Sequence, residues 1–234
     1  MTRQADGDED FGFLYPFLYS EESDVDAVLD EVRQSTVAKA REITSLRSTV
    51  LERDGTRLLD CSHRMAERFA AGGRLLTFGN GGSSTDSQDL ARAFLSPEGG
   101  QRPLPTFGLT NDVAVLTALC NDIGFDVIFS RQISAFARDQ DIAVGLSTSG
   151  NSANLLRAFD TATARGLLTV GIAGYDGGKM AELDTLDYLF VVPSSSVHRI
   201  QEAQTTIYHA LWELTLAALE RVPGHPTKNS EAGS

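Results

Sequence analysis

Basic residues are scarce in this chain. Lys and Arg number 20 against 32 Asp and Glu, a formal net charge of −12 over 234 residues. Nucleic-acid binders neutralise phosphates with Lys and Arg, so this balance argues against direct nucleic-acid binding. Cysteine is nearly absent. Cys61 and Cys120 form neither a metal-type pair nor a disulfide framework, and both read as buried thiols of a reducing cytoplasm. No apolar run approaches the roughly 18 residues of a membrane-spanning helix. No basic-then-apolar leader opens the chain. The expected location is cytoplasmic, with no membrane partner. Internal repeats and low-complexity tracts are also missing.

What is present is ordinary globular composition and enough length for one α/β domain with its own core. The acid excess is partly local. Residues 1–30 hold Asp6, Asp8, Glu9, Asp10, Glu21, Glu22, Asp24, Asp26 and Asp30 against Arg3 alone. Such a block reads first as a solvated segment. Within it, the aromatic stretch 11–19 (Phe11, Phe13, Tyr15, Phe17 and Tyr19 among its residues) should dock on its own core or on another chain. The spacing predicts helices over 23–51 and 57–71, separated at Gly55. Strands and helices then alternate. Strands are predicted at 74–78, 106–109, 142–146, 168–173 and 188–192, and helices at 83–95, 113–119, 125–138, 153–165, 178–183 and 198–221. This alternation means parallel βαβ units, hence a five-stranded, doubly wound parallel sheet with helices on both faces. The expected organisation is an N-terminal extension (1–22), one domain (23–222) and a tail (223–234).

The most telling stretch is Ser147-Thr148-Ser149-Gly150-Asn151-Ser152, between a buried strand and an amphipathic helix. A strand that breaks into hydroxyls and a glycine at a helix start makes an anion cradle. Helix capping accounts for one hydroxyl; Ser147, Thr148, Ser149 and Ser152 supply four. The guest this chemistry suits is a phosphate on a small polar molecule. A second turn, Gly79-Asn80-Gly81-Gly82-Ser83, leaves the first strand in the same way. It lacks the Gly-Lys-Ser/Thr of a nucleotide P-loop and the spacing of a dinucleotide fingerprint. Two such turns in one parallel sheet converge on one edge.

The blocks 79–83, 120–125, 128–131, 147–154, 176–181 and 199–202 resemble the phosphoheptose isomerases of the sugar isomerase (SIS) domain superfamily, over roughly residues 40–220. The resemblance implies a five-stranded parallel sheet and a cytoplasmic homotetramer with sites between subunits. It implies sugar-phosphate binding by Asn80, Gly81, Gly82, Ser83, Ser147, Thr148, Ser149 and Ser152. The implied reaction converts sedoheptulose 7-phosphate to a mannoheptose 7-phosphate through an enediol, which needs a base, an acid and a group that holds an oxyanion. Gln201 and His209 match late site positions, and Asp122 matches an aspartate near the substrate.

The chain departs from the family pattern on the helix after the first loop. There the family carries a histidine and, four residues on, a glutamate, which serve as base and in several members as metal ligands with the late Gln and His. Asp89 and Ala93 occupy these positions, and His198 stands where the family has an aspartate. Asp89 and His198 are therefore expected to share proton transfer with His209. A zinc site of Asp89, Gln201 and His209 is conceivable but lacks the family's glutamate. The alternative expectation is a catalytically silent sugar-phosphate binder. Such members of the superfamily, among them a tetrameric partner of the replication initiator, act on other proteins, and residues 1–22 would then hold the protein partner.

Overall fold

The computed structural model of the chain describes residues 25–98 and 100–223. The aromatic segment 11–19, the rest of 1–22 and all but the first residue of 223–234 lie outside them. The described residues divide into two units, one ending at Glu42 and the other beginning at Ile43.

Five parallel strands form one sheet: β1 (Leu75–Gly79), β2 (Thr106–Gly108), β3 (Ile142–Ser147), β4 (Leu168–Gly174) and β5 (Tyr188–Val192), in the order β2-β1-β3-β4-β5. The expected strands are all present within a residue or two. The helices are α1 (Val25–Ala70), α2 (Gly82–Leu95), α3 (Val113–Asp122), α4 (Ile128–Phe136), α5 (Ala153–Ala164) and α6 (Val197–Leu219), with 3-10 turns at Phe125–Val127 and Gly178–Glu182.

Alternation along the strands feeds two cores. Leu75, Val144, Leu146, Val170 and Ile172 face α1, α2 and α6, where Met65, Phe69, Leu90, Phe94, Ile200 and Ile207 meet them. Leu76, Phe78 and Ala143 face α4 and α5, against Phe129, Ile133, Leu155 and Phe159. Period-2 strands and 3.6-period helices interlock in this way.

The break expected at Gly55 does not occur: Val25–Ala70 is one helix of 46 residues. Glycine costs a helix interior about 1 kcal/mol, far less than proline, and no proline lies in this segment. Beside Gly55, buried Asp54 accepts from Arg53 and Arg57, and both arginines also donate to carbonyls of β5. This local anchoring keeps the helix continuous. The helix expected at 125–138 is instead a 3-10 turn followed by the shorter α4. Cys61 is buried as expected, but Cys120 is exposed. It lies on α3, which buries none of its side chains fully.

At the amino-terminal edge of the sheet, fully buried Asp141 ties β1 to β3. It accepts from the Arg74 backbone N–H at 2.9 Å, from the Arg74 guanidinium at 2.7 and 3.2 Å, and from the Arg138 backbone N–H at 2.9 Å. The opposite, carboxyl-terminal edge is thereby left to loops. Chain order reverses between β1 and β3, the place in an open parallel sheet where ligands bind.

Candidate functional site

Both loops singled out by sequence flank this reversal point, one after β1 and one after β3. They are tied together. Asn80 Nδ2 donates to Asn154 Oδ1, and Asn154 Nδ2 donates to Asn80 Oδ1, each at 2.9 Å. Asn154 was missed in the sequence because it reads as an ordinary first-turn helix residue.

In the second loop, Ser147 Oγ accepts from the Gly150 N–H at 3.1 Å and lies 3.4 Å from Ser152 Oγ. Ser149 Oγ accepts from the Asn151 N–H. Ser152 is the N-cap of α5, yet its side chain makes no capping bond. Its hydroxyl is turned to the loop, so capping does not explain the serine, and the amino end of α5 keeps its positive dipole end at the cradle. Gly150 has φ +65°, and a Cβ there would lie 1.9 Å from the Gly177 carbonyl oxygen. Only glycine fits this turn. The loop is held from below by the Met180 N–H donating to the Gly150 carbonyl and the Lys179 N–H donating to Asn151 Oδ1. A hollow of about 710 Å³ bordered by Ser149, Asn151, Tyr175, Asp176 and Ser194 opens beside it.

Gly81 caps α2 without a side-chain bond, and Ser83 is buried in the first turn. A Cβ on Gly82 would lie 2.2 Å from Gln201 Nε2. The glycine therefore lets Gln201 of α6 reach over the start of α2. About two turns further along both helices, the second pair meets. Asp89 Oδ2 accepts from Tyr208 Oη at 3.0 Å and lies 3.1 Å from His209 Nε2, while Oδ1 accepts from Arg92 at 2.8 Å. The His209 ring packs edge-on to Tyr208 and near Trp212. Gly82 to Asp89 spans about 10 Å at 1.5 Å per residue, room for several sugar carbons.

Burial pushes the Asp89 carboxyl up, but hydrogen bonds from Arg92, His209 and Tyr208 outweigh it and hold the group below the usual carboxylate range. Asp86, one turn earlier, behaves oppositely. Burial and then the Asp89 charge push it up to about 6, against a hydrogen bond from Gln201. Its Oδ2 is buried without a hydrogen-bond partner. Burial raises the Tyr208 hydroxyl too, with Asp89 adding to the effect. Asp86 and Tyr208 were not singled out in the sequence. The Asp-x-x-Asp spacing was the available signal, since it puts both carboxylates on one face of α2.

Asp122 and His198 are less integrated. Asp122 ends α3, exposed, and accepts from the Asn121 amide. His198 is exposed in the first turn of α6. The structure pairs His209 with Asp89 rather than with either of them.

The family's metal set does not fit these residues. Among the described residues no three His, Cys, Asp or Glu side chains converge as a metal site. Ala93 offers no donor and is buried. Asp89 spends its oxygens on Arg92, Tyr208 and His209, so a zinc ion held by Asp89, Gln201 and His209 would have to displace these contacts.

Residues 40–174 match the SIS domain family. The chain is 42% identical over 187 residues to a phosphoheptose isomerase of Nitratidesulfovibrio vulgaris Hildenborough, covering 80% of this chain and 89% of the relative. It is 39% identical over 175 residues to one from Aquifex aeolicus, covering 74% and 91%. Its structure resembles that of the phosphoheptose isomerase of Neisseria gonorrhoeae with a TM-score of 0.71 at 34% identity, over 80% of this chain and 99% of that one. The chain belongs to the phosphoheptose isomerases of the SIS domain family.

Proposed function

We propose that this protein interconverts sedoheptulose 7-phosphate, or a closely related sugar phosphate, with the corresponding aldose. The observation that carries this reading is the double cradle at the sheet's reversal point, joined by Asn80 and Asn154 and walled by Gln201, Asp89 and His209. Ser147, Thr148, Ser149 and Ser152 hold the phosphate at the amino end of α5, and Asn80, Gly81, Gly82 and Ser83 contact the sugar beside it. A base takes the proton from the hydroxyl-bearing carbon next to the ketone. That C–H electron pair becomes the enediol double bond, and the carbonyl oxygen takes up a proton. Reprotonation of the former carbonyl carbon, with loss of the neighbouring hydroxyl proton, gives the aldose. His209 moves these protons, Gln201 donates to the developing oxyanion and Asp89 fixes the imidazole. Asp122 and His198, on exposed helix ends, have supporting parts where subunits approach one another.

We take 23–222 as one sugar-phosphate domain, with 1–22 and 223–234 as extensions, in a cytoplasmic homo-oligomer that the family resemblance makes a tetramer. Helix α3 supports this assembly: Val113, Ile123 and Phe125 in and beside it are more than half exposed. Apolar side chains at that exposure suit a surface that a second copy covers.

Ala93, in place of the family's glutamate, favours a second reading, a silent sugar-phosphate binder that holds a protein partner through residues 1–22. Incubation with sedoheptulose 7-phosphate separates the two. Turnover lost in His209→Ala supports the isomerase. No turnover, with sugar phosphate still raising the melting temperature, supports the binder.

A further inference from the structure

We propose that the Asp89–His209 pair stands where a divalent cation would sit, so that this chain works on its sugar phosphate without a metal. This rests on the isomerase reading above but is tested apart from it. Metal ligation needs Asp89 and His209 to aim at a common point. Here they aim at each other across 3.1 Å, with Tyr208 Oη 3.0 Å from the same carboxylate oxygen and Arg92 2.8 Å from the other. An ionised carboxylate only accepts, so His209 Nε2 carries the proton of this contact. A metal ligand must instead offer a lone pair. With Nε2 committed, Nδ1 is the ring nitrogen that exchanges protons with substrate.

Ala93 completes the argument. It is the residue one helical turn beyond Asp89, on the same face of α2, and it is 7% exposed. A carboxylate there would be buried beside Asp89, and two such anions would call for a cation between them. With alanine, the single negative charge of Asp89 is matched by Arg92 and by the N–H and O–H donors of α6. Asp89 is thus a positioning residue, acting through His209, and the chain has exchanged a metal's charge for a hydrogen-bonded imidazole.

The test titrates the full chain with Zn²⁺ by calorimetry, beside the double variant Asp89→His/Ala93→Glu. The unmodified chain should bind no equivalent of zinc. The double variant should gain a single zinc site that disappears when His209→Ala is added. Saturable zinc binding by the unmodified chain, abolished by His209→Ala, would overturn the proposal. A folded double variant that binds no zinc would overturn it too, since the wall would then not be shaped for a cation. Should the double variant not fold, the unmodified chain's zinc titration decides alone. In turnover, a chelator should leave the rate unchanged, and Asp89→Asn should lower kcat by roughly 10²-fold with KM little altered. An equal loss in a variant whose KM alone rises would make Asp89 a binding residue instead. If no sugar phosphate is turned over, the isomerase reading fails, while the zinc titrations still judge this one.

Discussion

Asn80 and Asn154 exchange two side-chain hydrogen bonds of 2.9 Å, joining the loop after β1 to the first turn of α5. Asn154 is 1% exposed, so its amide has no water to fall back on. Asn154→Ala leaves the Asn80 amide short of both partners, a loss of about 1–3 kcal/mol. The expected outcome is a lower melting temperature together with weaker sugar-phosphate binding, read as a smaller thermal shift at fixed ligand concentration.

Gly150 and Ser152 separate the loop's shape from its chemistry. Gly150→Ala puts a methyl into the Gly177 carbonyl and forces a left-handed φ on alanine, so both stability and sugar-phosphate binding should fall. Ser152→Ala removes a hydroxyl that caps nothing. Its melting temperature without ligand should match the unmodified protein, while the shift produced by sugar phosphate should vanish.

Asp141 tests the scaffold. Removing it leaves the Arg74 guanidinium with the Phe136 carbonyl but no counter-charge, and strands two backbone N–H groups at the sheet's amino-terminal edge. Asp141→Ala should cost about 3–5 kcal/mol in denaturant unfolding. Activity per folded molecule should be unchanged, because the site lies at the opposite edge.

Asp86 makes stability depend on pH. Its folded-state pKa is raised to about 6 from an ordinary 3.8. Its favourable contribution is therefore complete below the ordinary value and lost as pH rises through about 6. Asp86→Asn should melt at the same temperature as the unmodified chain near pH 4 and at a higher one at pH 8, as followed by circular dichroism. A difference that stays constant with pH would remove Asp86 as its source.

Much of this architecture is legible in the sequence alone. Five strands with turn residues at their carboxyl ends fixed the sheet, because period-2 apolar runs between amphipathic segments have few other solutions. The loop 147–152 was legible because four hydroxyls exceed what a cap needs. Gly55 misled: local propensity marks a break, while the hydrogen bonds of Arg53 and Arg57 that anchor the helix to β5 carbonyls are long-range and leave no local trace. The same holds for the site wall. Asp89 and His209 could each be picked out, but their contact depends on how α2 and α6 pack. Asn154, Asp86 and Tyr208 act through partners distant in sequence, and Tyr208 was overshadowed by the histidine next to it. Conversely, Asp122 and His198 were legible as residue types and are not joined to the pair that α2 and α6 build.

The most direct test of the isomerase account is a single assay, incubation of the purified chain with sedoheptulose 7-phosphate while the aldose product is followed. Steady turnover that survives a chelator and falls by roughly 10²-fold or more in His209→Ala is the predicted result. Absence of turnover in the unmodified chain, with sugar phosphate still stabilising it against heat, would contradict the account.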